Sequence, residues 1–146
     1  YKNTEAKFQI KYPKQWKAVE FTEQGIPVMF FSADYELPEG PNLNIVLEDR
    51  EEAVNFKQEV EETRVQLPEL LPGYAVADDK SFKIAGAKAH LFGGTFEVDG
   101  VMVRTQQLVI LKGKRLYVLT ASATEEEWKA HQKLFNAMYR SFKVLK

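Results

Sequence analysis

The stretch RLYVLTASATEEEWKAHQKLFNAMYRSF, residues 115–142, changes its hydrophobic period once, at Thr124. Before that point Leu116, Val118 and Thr120 alternate with Tyr117, Leu119 and Ala121. Both faces of such a strand are apolar, which suits a central position in a sheet covered on two sides. After it Trp128, His131, Phe135, Met138 and Phe142 recur at helical spacing, and Leu134 and Tyr139 widen the same stripe. Thr124 and Glu127 have the spacing of a capping box, and Glu125 and Glu126 suit the positive end of the helix dipole. A two-faced strand running straight into an amphipathic helix calls for a layered α+β fold.

Glu127 and His131 stand four apart, so they could share a metal ion or a proton. A bound metal wants about three or four protein ligands. The other histidine, His90, falls in a different segment, and no further acid shares the His131 stripe. His131 therefore reads as a core or rim residue, and no metal ligand is assigned.

Working outward, "KFQIKY" (7–12), "WKAVEF" (16–21), "PVMFFS" (27–32) and "NLNIVLED" (42–49) read as strands. The third is apolar on both faces and is expected to be covered on both. Residues 33–41, ADYELPEGP, hold two prolines and a glycine and form a loop. Asp49 and Glu52 have capping-box spacing ahead of a helix whose core stripe is Ala53, Phe56, Val60, Thr63 and Leu67, ended by Pro68. A β-meander follows, with Gly86 at one turn and Asp99-Gly100 marking a type I′ hairpin. Gly93-Gly94 inside a strand marks a bulge or a close backbone approach. The expected architecture is a three-layer α/β/α sandwich in one domain, residues 1–146. Its mainly antiparallel sheet has about six to eight strands, flanked by two long helices.

Composition narrows the function. Twenty Lys and Arg balance 21 Asp and Glu, for a net charge of −1, without the excess of cations a nucleic-acid footprint needs. The lack of cysteine removes disulfides, thiolate metal sites and cysteine nucleophiles. No serine sits in a nucleophile motif and no glycine-rich phosphate loop occurs, so no catalytic or cofactor-binding residue is assigned. Asp78 and Asp79 are neighbours in an extended segment and should point to opposite faces, a poor acid/base pair.

The order of motifs is distinctive. "FQIKYPKQW" (8–16) is followed by "GIPVMF" (25–30) and "NLNIV" (42–46), and the end reads "KRLYVLTASATEEEWKAHQKLF" (114–135), closing on Ser141-Phe142. Together these resemble the PsbP-like family, named for an extrinsic lumenal subunit of photosystem II. The resemblance implies an α/β/α sandwich without an active site, used to dock onto a larger partner. It is similar in that respect to a Ran-binding transport factor and to bacterial lipoproteins and secretion chaperones. Tyr12, Trp16, Trp128 and Phe142 have core readings within the motifs.

The leading expectation is a non-enzymatic, exported, extracytoplasmic domain that binds a protein partner or stabilises a complex. Because the chain starts at Tyr1, membrane tethering is expected through a removed upstream segment. The acidic loop at 34–42 is the expected recognition surface, with Asp34, Glu36 and Glu39 as partner-binding residues. Two alternatives are a carrier of a small or lipid-like ligand, recognisable by a large apolar cavity, and a photosystem II extrinsic subunit. An enzyme would need a cleft where carboxylates converge with His90 or His131.

Overall fold

The structure, a computed structural model, describes residues 1–34, 40–84 and 86–146. The chain runs β1 (Lys2–Asn3), β2 (Phe8–Gln9), β3 (Trp16–Phe21), β4 (Ile26–Ser32), β5 (Asn42–Asp49), α1 (Phe56–Leu70) and β6 (Ala75–Ile84). It continues through β7 (Ala87–Val98), β8 (Val101–Lys112), β9 (Arg115–Thr124), α2 (Glu125–Ser141) and β10 (Lys143–Val144). Seven strands form one antiparallel sheet in the order β3-β4-β5-β9-β8-β7-β6. The two-faced strand β9 lies at its centre, as its sequence requires. The two-residue strands β1, β2 and β10 make a separate small sheet.

The two faces of the large sheet are covered unequally. On one, Leu43, Ile45, Leu108, Tyr117 and Leu119 meet Trp128, Phe135, Met138 and Phe142 of the α2 segment, all buried. The small sheet closes this core: Phe8 stacks on Phe142 at 5.8 Å, and the Tyr117 hydroxyl donates to the Ala6 carbonyl at 3.1 Å. On the other face only Phe56 and Val60 of α1 are buried, against Phe92, Val109, Leu116 and Val118. The C-terminal half of α1 leaves Val65 and Leu70 largely exposed. Part of the sheet beyond α1 is therefore left without a helix, and the candidate site lies there.

Several expectations are corrected. Residues 7–12 do not form a long strand; only Phe8 and Gln9 do, pairing with the two chain ends rather than with the main sheet. The first helix is not capped by Asp49 and Glu52. Asp49 ends β5 and holds Arg115 through Nε at 2.6 Å and Nη2 at 3.0 Å. Asn55 is the cap instead, its Oδ1 accepting from Gln58 N–H at 3.2 Å. Pro68 does not end α1, which runs to Leu70 with Leu71 N–H donating to Leu67 O. Pro68 forfeits the N–H bond to the Arg64 carbonyl and crowds it, yet the helix is carried one turn further by the Leu71 N–H bond to Leu67 O.

Other local readings are met. Thr124 Oγ1 caps α2 by accepting from Glu127 N–H at 3.3 Å. The other half of the expected capping box is corrected: Glu127 turns its carboxylate toward His131 Nδ1, 3.7 Å away, instead of back to the helix start. Asp99 and Gly100 have φ of 49° and 81°, the positive pair a type I′ hairpin needs. Gly94 allows a close backbone approach: a Cβ there would lie 2.5 Å from the Ala75 carbonyl oxygen.

Candidate functional site

An open groove of about 790 Å³ occupies the α1 side of the sheet beyond the helix. Its walls come from two sources. Phe21, Ile26 and Met29 stand on β3 and β4, while Phe96, Val98, Val101 and Val103 stand on the β7–β8 hairpin. On the β7–β8 hairpin the period-2 alternation aims Phe96, Val98, Val101 and Val103 at one face, while on β3–β4 a register shift between Val19 and Phe21 sets Phe21 opposite Ile26 on the same groove wall as Met29. Asn42 and Ser122, paired neighbours on β5 and β9, line the groove between the walls. Among the described residues Asp99 is the one charged side chain in its lining. The volume falls within the range of small-molecule sites, roughly 300–1,000 Å³.

A second cavity of about 270 Å³ lies under the C-terminal end of α1 and shares Phe96 and Ser122 with the groove. Leu67, Leu70 and Tyr74 cover it, and Thr105, Gln107 and Thr120 lie on its sheet side. Burial raises the Tyr74 phenol above its ordinary pKa, reinforced by Asp79 and Asp78 nearby. Thr105 Oγ1 donates to Ala121 O at 3.2 Å and lies 3.3 Å from Ser122 Oγ. Gln107 Oε1 is buried without a hydrogen-bond partner among the described residues.

The sequence did not point to this groove. "PVMFFS" was expected to be covered on both faces, yet only Val28 and Phe30 face a closed core, and Met29 faces the groove. The signal that was present is a pair of exposed valines, Val98 and Val101, flanking the hairpin turn. Gly40 and Asn42, which follow the acidic residues in the chain, line the groove. Asp34 is exposed, and its N–H lies 3.4 Å from Ser32 Oγ. Glu36 and Glu39 lie outside the described residues.

The two adjacent aspartates do point to opposite faces. Asp78, on the α2 side, accepts from Gln106 Nε2 at 3.1 Å and lies 3.5 Å from Arg104 Nη2. Asp79, on the α1 side, holds Arg64 of α1 through Nε at 2.6 Å and Nη2 at 2.8 Å. His90 Nε2–H also donates to Asp79 Oδ1 at 2.5 Å, and the Ser81 hydroxyl donates to His90 Nδ1 at 2.6 Å. The Arg64 bonds, assisted by His90 and opposed by burial, lower the Asp79 pKa to about 2.

This brings a serine, a histidine and a carboxylate into line, a convergence the sequence reading did not foresee. The histidine is only 3% exposed, however, and neither cavity described above reaches it. Asp79 is already committed to Arg64. The arrangement ties α1 to the sheet edge. His131 sits at the rim of the opposite core, its Nδ1–H donating to Glu127 O at 2.9 Å, with Trp16 and Phe135 beside its ring. Among the described residues no cluster of three or more His, Asp or Glu side chains forms a metal site, and no helix is long and apolar enough to cross a membrane.

A seven-stranded antiparallel sheet between α1 and α2, with the helix-capping and aromatic motifs in this order, defines a PsbP-like α/β/α domain. The DcrB family model matches residues 9–141, and the chain belongs to the DcrB family. Among solved structures it is similar to LpqN of Mycobacterium tuberculosis, a protein involved in cell envelope biogenesis. That likeness has a TM-score of 0.80 at 14% identity, over 95% of this chain and 83% of LpqN. It is also similar to cyanobacterial PsbP (CyanoP) from Synechocystis sp. PCC 6803, with a TM-score of 0.76 at 15% identity over 99% of this chain and 90% of the other. PA94 of Pseudomonas aeruginosa, a protein of unknown function, gives 0.66 at 14% identity, over 90% of this chain and 98% of its own. At these identities the likeness is one of fold. No curated protein sequence matches the chain.

Proposed function

We propose that the chain is a non-enzymatic binding domain of an exported, membrane-tethered envelope protein, and that it carries an apolar ligand in the groove. The observation that carries this reading is the groove itself: about 790 Å³, walled by Phe21, Ile26, Met29, Phe96 and Val103. A partly enclosed apolar cleft with few polar groups is the usual form of a small-molecule site. The cell-envelope role of LpqN supports the location, and the isolation of His90 from the groove supports a role without catalysis. The photosystem alternative has only the fold of CyanoP in its favour.

Titration with the neutral fluorophore N-phenyl-1-naphthylamine tests the reading. The protein should show saturable enhancement, and Val103→Trp, which fills the groove, should abolish it with unchanged circular dichroism. Equal enhancement in both proteins would refute groove binding. Fractionation of the full-length protein tests tethering: recovery in the soluble fraction alone would contradict it.

A protein partner remains the second reading, favoured because Gly40 and Asn42 of the acidic loop form part of the groove wall. Replacing Asp34, Glu36 and Glu39 together with their amides should weaken capture of a partner held by the wild type, at unchanged Tm. Undiminished capture would remove the loop from the reading.

A further inference from the structure

We infer that the tip of the β6–β7 hairpin docks onto an anionic lipid bilayer, setting Phe82 among the head groups with Lys80, Lys83, Lys88 and Lys112 around it. The inference goes beyond the groove reading and does not depend on a ligand in the groove. The chain is nearly neutral, with a net charge of −1, but its charges are segregated along the strands. Between Asp79 and Glu97 it carries three lysines and no acid. The pairing of Lys88 with Leu111 sets Lys112, at the end of β8, at the same end of the sheet.

These lysines are exposed, and none forms an ion pair among the described residues. Lys83 and Lys88 stand directly opposite each other in the β6–β7 register. Like charges so placed, with Cβ atoms about 4.5–5.5 Å apart, repel, and an anionic surface over them relieves the repulsion. The acids nearby are mostly engaged. Arg64 and His90 hold Asp79, while Arg50 and Arg115 hold Glu48 and Asp49. Glu51 and Glu52, in the connection from β5 to α1, are left without a cation among the described residues.

Phe82 favours a bilayer over an acidic protein as the source of the negative charge. It is 38% exposed beside Lys83, and it shares a sheet face with Lys80 because alternate residues of a strand do so. An aromatic ring amid lysines suits the membrane interface, where the ring enters the acyl boundary and the ammonium groups stay at the phosphates. The opposite end of the sheet lacks that match. Val98, Val101 and Met102 are exposed there, but Glu97 and Asp99 flank them. The pairing of Val103 with Thr124 also brings the start of α2, Glu125 to Glu127, alongside. An anionic surface repels that end. The 12 residues of β7 separate the two ends, so docking holds the hairpin wall of the groove about 36 Å from the inserted tip.

Co-sedimentation with vesicles at neutral pH tests this. Phosphatidylcholine vesicles with about one-third phosphatidylglycerol should carry the protein down, and phosphatidylcholine alone should not. Raising NaCl from about 0.1 M to about 0.5 M should release it. A lysine near such a surface is worth about a fivefold change in partitioning, so Lys80→Gln, Lys83→Gln and Lys88→Gln together should weaken binding about a hundredfold. Lys14→Gln, Lys17→Gln and Lys129→Gln make the same charge change at exposed positions elsewhere and should weaken it less than about tenfold. Phe82→Ser should weaken binding about three- to tenfold at unchanged circular dichroism, and Phe82→Leu should restore most of it. Equal binding to both kinds of vesicle, equal losses in the two lysine triples, or wild-type binding by Phe82→Ser overturns the inference. So does binding to soluble polyglutamate without binding to vesicles, the result expected of an acidic protein partner. The groove is read separately, by the fluorophore titration.

Discussion

Gly94→Ala should destabilise the protein through one close contact. A Cβ at that position would stand 2.5 Å from the Ala75 carbonyl oxygen and 2.5 Å and 2.6 Å from two Tyr74 ring carbons. Ordinary contact begins at 3.4 Å, so β6 and the Tyr74 ring would both have to retreat by about 0.9 Å. Overpacking of this kind costs about 1–3 kcal/mol. For a chain of this size that is a fall in Tm of about 2–12 °C, read by thermal circular dichroism and by urea denaturation. Gly93→Ala supplies the comparison, because its nearest neighbours are atoms of the Asp78 side chain, which can rotate away at the expense of the Gln106 bond. It should cost less. A Gly94→Ala protein within 1 °C of the wild type, or one more stable than Gly93→Ala, would refute the close approach of β6 to β7.

Two further outcomes follow from the capping and charge networks. Thr124→Ala removes the acceptor for Glu127 N–H and should lower stability by about 1 kcal/mol, or roughly 2–4 °C in Tm; an unchanged Tm would mean that Thr124 does not cap α2. Asp79 has a lowered folded-state pKa of about 2, against an ordinary value of 3.8, so the stability it contributes is complete above the ordinary value and is lost as pH falls toward 2. The Tm advantage of the wild type over Asp79→Asn should be constant from neutral pH to about pH 5 and shrink below pH 4; an advantage independent of pH would contradict the ion pair with Arg64.

Much of the fold was legible because its signals are local. The period change at Thr124 placed β9 at the sheet centre and α2 directly after it, and Asp99-Gly100 located the hairpin. The start of α1 was misread although Asn55 and Gln58 carry the same cap spacing as Asp49 and Glu52. What decided between them was Arg115, 66 residues from Asp49, which claims that carboxylate for the sheet. No local pattern contains such a partner. The groove was hidden for a similar reason. Met29 and Val103 look like core residues in their own strands, and only the short reach of α1 leaves them uncovered. The link between Asp79 and His90 depends on the register of β6 against β7, which sets Ser81 opposite His90.

The most direct test of the account is methyl NMR of the Ile, Met and Val side chains during titration with N-phenyl-1-naphthylamine. The account predicts saturable shifts at Ile26, Met29, Val98, Val101 and Val103, with Val28 and Ile45 in the closed core unmoved. Shifts confined to residues outside the groove, or no shifts at saturating fluorophore, would contradict it.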